Sequence, residues 1–247
     1  MKRALKFAVL FLGLLTAGIA QEQKPAEETP SIDQILQKMV DAAGGKAVLE
    51  KMTTRTYKGT FEMPAMGGTG TWERYEKAPG KLYQQTEVAG FGTVVDVCDG
   101  ETAWSQNPMA GFTEKSGASL ADAKLDAEFQ RELRLKELFP KMTSPKKDKV
   151  ATRDVWVFEA APPEGTAVKF YVDVENGLLV RQDTERDGPQ GRVSVSTYFE
   201  DYKDVDGYKL PFTMRMEFGE FGMILKITEF KTNVEIDDAK FAKPAVK

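Results

Sequence analysis

The sequence predicts a mainly β protein of the α+β class, built on a single curved antiparallel sheet. Short runs of alternating apolar and polar residues recur along the chain, turn dipeptides separate these runs, and only a few stretches have helical spacing. The runs predict about ten or eleven strands, and an open sheet of that size tends to curl. Helices laid over one face of a curled sheet leave a cavity between the helices and the sheet.

The first 20 residues have the pattern of a secretory signal peptide. A basic start is followed by the apolar run 7–15, which is short for a membrane-spanning helix, and the small residues Gly18 and Ala20 stand where cleavage is usual. An uncleaved anchor is the alternative. We therefore expect a periplasmic protein with its mature N-terminus at Gln21. The polar residues 21–30, which include two prolines, are expected to be a flexible linker.

Composition limits the chemistry of the remaining domain, residues 31–247. The net charge is −4 and becomes −7 when the three cationic residues of the signal peptide are removed, so no binding to nucleic acid is expected. The chain has no histidine and one cysteine, Cys98. This excludes histidine-based catalytic triads, histidine zinc sites and an intramolecular disulfide. We expect no metal, no cofactor, no enzymatic activity and a monomer, with Cys98 buried as a small hydrophobe.

The domain begins with a helix and continues into a meander of strands. Ser31 and Gln34 have the spacing of a capping box, Ile35 and Met39 belong to an apolar helical stripe, and a glycine pair ends the helix. A short second helix is predicted at residues 46–52. The strands that follow are predicted at residues 54–63, 71–77, 81–88, 92–98 and 102–105, with turns at 67–70, Pro79-Gly80 and Asp99-Gly100.

A single amphipathic helix is predicted at residues 119–139. The stretch lacks Gly and Pro, Leu125 and Phe129 stand four positions apart, and Pro140 ends it. Strands resume at residues 147–150, 153–161, 166–173 and 178–186, and Asn176-Gly177 predicts another hairpin. A helical turn is expected near residues 237–241.

Three long strands are predicted in residues 193–233, and their alternation fixes which side chains share a face. Asp206-Gly207 suits a two-residue hairpin turn. Met214 and Met216 then alternate with Arg215, and Leu225 and Ile227 alternate with Lys226, so we expect the first four residues to face inward and the two cations to face solvent. Two interpretations remain open for this apolar face: an ordinary packed core, or a concave surface that holds an acyl chain.

Several segments together resemble the LolA/LolB/LppX group of outer-membrane lipoprotein-sorting proteins. The resemblance runs across nearly the whole mature chain and does not identify the arginine with which the classical carriers tie the lid to the barrel. The matching segments are the helix at residues 31–43, the strand at 54–61, the DGETAW segment at 99–104, YVD at 171–173 with NGLLVR at 176–181, YFEDYKDVDGYKLPF at 198–212, and residues 233–241.

The resemblance implies an unclosed half-barrel with a helical lid and a hydrophobic cavity for the acyl chains of lipids or lipoproteins, with envelope proteins as further partners. Tryptophans in the strands either fill the core or line that cavity. The candidate cavity residues are Tyr57, Phe61, Trp72, Trp104, Met214, Met216, Leu225 and Ile227. The candidate lid residues are Ile35, Met39, Leu125 and Phe129.

Four functions are compatible with the sequence. A cavity lined by apolar side chains with no charged group inside would favour a carrier for apolar ligands. A filled core would favour a non-catalytic structural module of the same fold. A sensor of envelope stress would use the sheet to bind lipid or protein. An enzyme is the fourth, and the absence of histidine argues against it.

Overall fold

A computed structural model of the chain describes residues 29–188 and 191–244. The expected signal peptide and residues 21–28 of the expected linker lie outside the described residues. Within them, none of the helices combines the length and the apolar character needed to cross a lipid bilayer.

Fourteen strands of the described residues form one antiparallel sheet that does not close into a barrel, with helices over its concave face. The helices are α1 (Ile32–Ala42), α2 (Lys46–Lys51), α3 (Gly117–Ala127) and α4 (Arg131–Leu138), with 3-10 turns at Pro64–Met66 and Asp238–Phe241. The first six strands are β1 (Thr54–Met63), β2 (Gly68–Lys77), β3 (Lys81–Val88), β4 (Gly92–Cys98), β5 (Ala103–Asn107) and β6 (Gly111–Glu114). The others are β7 (Lys141–Met142), β8 (Lys146–Val150), β9 (Arg153–Ala161), β10 (Val168–Asp173), β11 (Leu179–Gly188), β12 (Gly191–Val205), β13 (Tyr208–Phe218) and β14 (Phe221–Thr232).

The predicted fold class, an unclosed half-barrel with a helical lid, is confirmed. Neighbouring strands follow the order β6-β5-β4-β3-β2-β1-β14-β13-β12-β11-β10-β9-β7, and β8 also pairs with β9. The sheet is larger than the ten or eleven strands expected from the sequence. Two of the additional strands, β6 and β7, lie at the sheet edges and are too short to show alternation. The predicted turn at residues 67–70 is also shorter than expected, because β2 already begins at Gly68.

The hairpin between β12 and β13 has the two-residue turn that the sequence predicts. Asp206 has φ 55° and Gly207 has φ 84°, as this turn requires at both central positions. Val205 pairs with Tyr208 directly across the turn. The turn therefore sets the register of the two long strands that form much of the concave wall.

Helix α1 begins and ends where the sequence predicts. The backbone N–H of Gln34 donates to Oγ of Ser31 at 3.2 Å, and the N–H of Ser31 donates to Oε1 of Gln34 at 2.8 Å, which completes the capping box. Ile35 is 2% exposed and packs in one cluster with Phe139 and Phe170, so α1 rests on the sheet together with α4.

The single helix predicted at residues 119–139 is wrong: the structure has two helices, α3 and α4, with a break at residues 128–130. Phe129 lies in this break rather than on a helix face. Its ring is 1% exposed, and its backbone N–H donates to the carbonyl of Pro79 at 3.0 Å. The break lets the ring of Phe129 enter the main core, an energetic gain that helical spacing in the sequence does not reveal.

Candidate functional site

A cavity of about 570 Å³ lies on the concave face of the sheet. Strand alternation builds its apolar wall, because every second residue of a strand points to the same side. Across β13 and β14, Met214 pairs with Leu225 and Met216 pairs with Met223. Seven of the eight residues expected from the sequence line this cavity: Tyr57, Phe61, Trp72, Met214, Met216, Leu225 and Ile227.

The cationic neighbours of these residues lie on the opposite, convex face. The guanidinium of Arg215 stands 4.0 Å from the ring centre of Tyr198 and forms an ion pair with Glu200 at 3.4 Å. Nζ of Lys226 lies 3.5 Å from a carboxylate oxygen of Glu62. The alternation expected for β13 and β14 therefore holds in the structure.

Trp104 does not line the cavity, which corrects the expectation from the sequence. In β5, Ala103 pairs with Cys98 and Trp104 pairs with Val97. Because neighbouring residues of a strand point to opposite faces, the side chains of Trp104 and Ala103 point to opposite faces of the sheet. The indole packs in a separate cluster with Ile236 of the C-terminal segment, and its ring centre is 5.7 Å from that of Phe112. Trp104 thus belongs to a small core between the convex face and the chain end.

Three of the four expected lid residues lie in one cluster. Ile35, Met39 and Leu125 belong to the cluster that joins α1, α3 and α4 to the far strands of the sheet. Met39 also lines a second, smaller cavity of about 170 Å³ beside α1 and α4, where Leu135 and Tyr208 are among its neighbours. Phe129 packs instead in the main core next to the first cavity.

An ion pair that sequence analysis missed joins the lid to the sheet. Arg55 lies on the same face of β1 as Tyr57 and Phe61, and its side chain is only 6% exposed. One guanidinium nitrogen, Nη1, lies 3.4 Å from Oε1 of Glu132 on α4. The alternation of side chains along β1 could have revealed this ion pair, because Arg55 is a cation on a face that is otherwise apolar.

The surroundings of Arg55 favour its charged form. Its guanidinium carbon lies 4.6 Å from the ring centre of Phe129 and 4.9 Å from that of Tyr208. Tyr208 donates a hydrogen bond to Oε1 of Glu132 at 3.0 Å. Burial alone lowers the pKa of Arg55, but Tyr208 and Glu132 raise it well above its ordinary value. Within the part of the chain that the structure describes, Nε and Nη2 of Arg55 have no hydrogen-bond partner, and the group is enclosed mainly by aromatic rings.

Charged groups gather on the side of the cavity that α3 covers. Nε of Arg74 lies 2.6 Å from Oε1 of Glu76, and its Nη2 donates to the backbone carbonyl of Asp126 on α3 at 3.1 Å. Arg186 of β11 and Arg131 of α4 approach the carboxylate of Asp126 at 3.2 and 3.6 Å. Burial lowers the pKa of Arg131, Asp126 opposes this shift and the nearby Arg186 adds to it. The cavity is therefore amphipathic rather than purely apolar.

Among the residues that the structure describes, no group of three or more acidic, cysteine or histidine side chains could hold a metal ion. Cys98 is 1% exposed, and burial raises the pKa of its thiol, so the thiolate is disfavoured. The arrangement offers an apolar wall for a hydrocarbon chain and, on one side, charged groups for a polar head.

Solved structures with similar folds include three bacterial proteins. A DUF1329 family protein from Desulfovibrio piger ATCC 29098 has a TM-score of 0.58 at 14% identity, covering 87% of this chain and 98% of its own. A LolA superfamily protein from Nitrosomonas europaea has a TM-score of 0.56 at 13% identity, with coverage of 87% and 98%. The domain of a putative outer membrane lipoprotein-sorting protein from Vibrio parahaemolyticus has a TM-score of 0.53 at 14% identity, with coverage of 84% and 94%.

These likenesses establish a shared fold, so the LolA-like fold expected from the sequence is confirmed. No protein-family model matches the chain, and no curated protein matches it.

Proposed function

We propose that the protein is a periplasmic binding or carrier protein for acyl-chain ligands, such as lipidated proteins or free lipids of the cell envelope. The observation that carries this proposal is the apolar-walled cavity of about 570 Å³ between the sheet and its helices. Pockets for small ligands have volumes of about 300–1,000 Å³ and are lined mainly by apolar and aromatic side chains. A filled core, which would favour the structural module, would leave no such space.

The wall suits a ligand of variable shape. Met214, Met216 and Met223 meet across β13 and β14, and methionine is unbranched, flexible and polarizable. Trp72 and Phe61 provide rigid surface opposite them. The single thiol is buried and histidine is absent, which supports binding rather than catalysis as the role of the site.

The direct test is to purify the protein from the periplasm without detergent, extract it with organic solvent and analyse the extract by mass spectrometry. We expect an acyl-chain compound at a fixed ratio to the protein. A fluorescent fatty acid should bind to the extracted protein with a stoichiometry of one or a few molecules per chain. The absence of both a copurified lipid and a saturable dye signal would favour the structural module.

A further inference from the structure

Large exposed hydrophobic side chains are concentrated at one end of the half-barrel. Among the residues that the structure describes, five such side chains are exposed, from 38% for Val193 to 84% for Met109. Four of them belong to the hairpins after β1, β3, β5 and β13, which join neighbouring strands at the same end. The fifth, Val193, lies near the start of β12 at that end. We call this set the apolar rim, and it consists of Met66, Phe91, Met109, Val193 and Phe221.

The opposite end of the sheet has a different character. There the β12–β13 hairpin packs against the loop between α1 and α2, where the N–H of Lys209 donates to the carbonyl of Ala43 at 3.0 Å. Single exposed hydrophobic residues are common on any protein surface, but a cluster confined to one end marks an interaction site.

The four hairpins that carry Met66, Phe91, Met109 and Phe221 have few charges. Residues 64–69, 88–93 and 108–112 contain no charged residue, and Glu220 is the only one within 218–223. The surroundings of Val193 differ, because residues 186–192 contain three charged residues. The apolar side chains stand on separate hairpins, next to glycines, rather than along one groove. A protein partner would need a surface complementary to these separate projections, whereas a fluid bilayer accepts them at any spacing.

We propose that the apolar rim docks the protein on a lipid bilayer, with the hairpin tips inserted into the interfacial region. The three uncharged hairpins, at residues 64–69, 88–93 and 108–112, can enter this region without carrying an ionised group into hydrocarbon. Attraction to anionic lipid headgroups is not required, because the driving force is the removal of apolar side chains from water.

The rim is continuous with the cavity wall. Phe221, Met223 and Leu225 are alternate residues of β14, and the last two line the cavity. The ring centre of Phe221 is 6.3 Å from that of Phe218, which pairs with it across the turn. This apolar strip provides a path between the cavity and a docked bilayer, although docking itself does not depend on what the cavity binds.

A site-specific fluorescence experiment tests the docking. Met109→Cys places an environment-sensitive dye on the rim, and Lys46→Cys places the same dye at the opposite end. The native Cys98 is 1% exposed and does not compete for the label. With vesicles of neutral phosphatidylcholine, we expect a blue shift from the dye at position 109 and none from the dye at position 46. About 1 M salt should leave the signal unchanged, because docking is not electrostatic.

Substitutions at two other hairpins provide a second test of the docking. Phe91→Ser together with Phe221→Ser should lower the vesicle partition of the protein labelled at position 109 by about tenfold or more, because two large apolar side chains no longer insert. The control is Thr69→Ser with Thr93→Ser, which changes the same end of the sheet but removes no large apolar group, and its partition should equal that of the parent.

Three results would overturn the docking proposal. The first is an equal response, or no response, from the two labels. The second is binding to anionic phosphatidylglycerol vesicles only, reversed by salt. The third is a concentration-dependent shift at position 109 without vesicles, which would indicate that the rim joins two copies of the chain or binds protein. Fatty-acid binding by the Phe91→Ser, Phe221→Ser variant is measured in parallel and should be retained, so failure of docking is distinguishable from failure of the cavity.

Discussion

Arg55 of β1 and Glu132 of α4 form the ion pair that connects the sheet to its helical lid, with Nη1 and Oε1 separated by 3.4 Å. Arg55 also lies 3.7 Å from Glu76 and is enclosed by aromatic rings, so it compensates two carboxylates in a largely dry environment. Arg55 therefore links the sheet to α4 through a buried ion pair.

Removing that cation should be costly. We expect Arg55→Ala to lower the free energy of unfolding by about 3–5 kcal/mol, because Glu132 loses its cationic partner and Glu76 keeps only Arg74. Urea unfolding measures the loss, and hydrogen exchange should accelerate most in α4. The control is Arg134→Ala, which removes the partly exposed pairs with Glu128 and Glu137 and should cost about 0–1 kcal/mol. Equal losses in the two variants would contradict the central role of Arg55.

Phe129 should contribute to stability through packing rather than through helix formation. Phe129→Ala is expected to cost about 3–5 kcal/mol, because the ring is fully buried beneath the lid. Phe91→Ala, at an exposed position, is the matched control and should change stability by about 0.5 kcal/mol or less. The two variants are compared by chemical denaturation. A small effect at Phe129 would mean that the break between α3 and α4 is not anchored in the core.

The close contact between Gly44 and Gly207 holds the N-terminal helices against the β12–β13 hairpin. Gly44 has φ 122°, and a Cβ atom there would lie 2.1 Å from the carbonyl oxygen of Gly207. Gly44→Ala should therefore destabilise the protein by about 1–3 kcal/mol or more. Gly67→Ala also has a positive φ but meets no neighbouring atom, so its loss should be smaller. Thermal unfolding of both variants tests this order, and a larger effect at Gly67 would contradict it.

Tyrosine ionisation should limit stability at alkaline pH. Burial and a 2.7 Å hydrogen bond to Asp183 raise the pKa of Tyr171 from 10.0 to about 12. The stabilisation linked to its proton is complete below pH 10 and is lost as pH rises towards 12, because the unfolded chain releases the proton first. Tyr171→Phe should show a weaker decline in urea midpoint between pH 9 and about 11 than the parent. Identical declines would show that Tyr171 does not contribute.

The sequence contains most of the information for the strands and their faces. Strong alternation and an Asp-Gly turn were sufficient for β12, β13 and β14, because a one-residue slip would invert every side chain. Met214 and Met216 therefore lie where alternation places them, on the cavity wall. Ser31 and Gln34 likewise marked the start of α1 correctly, since a capping box is a local interaction.

What the sequence did not reveal depends on contacts between distant segments. The alternation in β5 gives the face on which Trp104 lies but not what covers that face. In the structure, the C-terminal segment packs over the convex face and forms a second core there. The break at Phe129 depends on a hydrogen bond to Pro79, 50 positions earlier in the chain. The cluster of Arg74, Arg186 and Asp126 joins three separate elements, and each of these residues looks like ordinary surface charge in the sequence.

Binding of a fluorescent fatty acid to Met216→Asp tests the central claim most directly. Met216 is partly buried and lines the cavity, so an aspartate should retain the circular dichroism spectrum of the parent and weaken binding by about a hundredfold or more, because the carboxylate loses its hydration when the ligand enters. The control, Thr213→Asp on the opposite face of β13, should bind as the parent does. If Met216→Asp unfolds, or if it stays folded and binds as tightly as the parent, the concave face is not a ligand cavity and the account is contradicted.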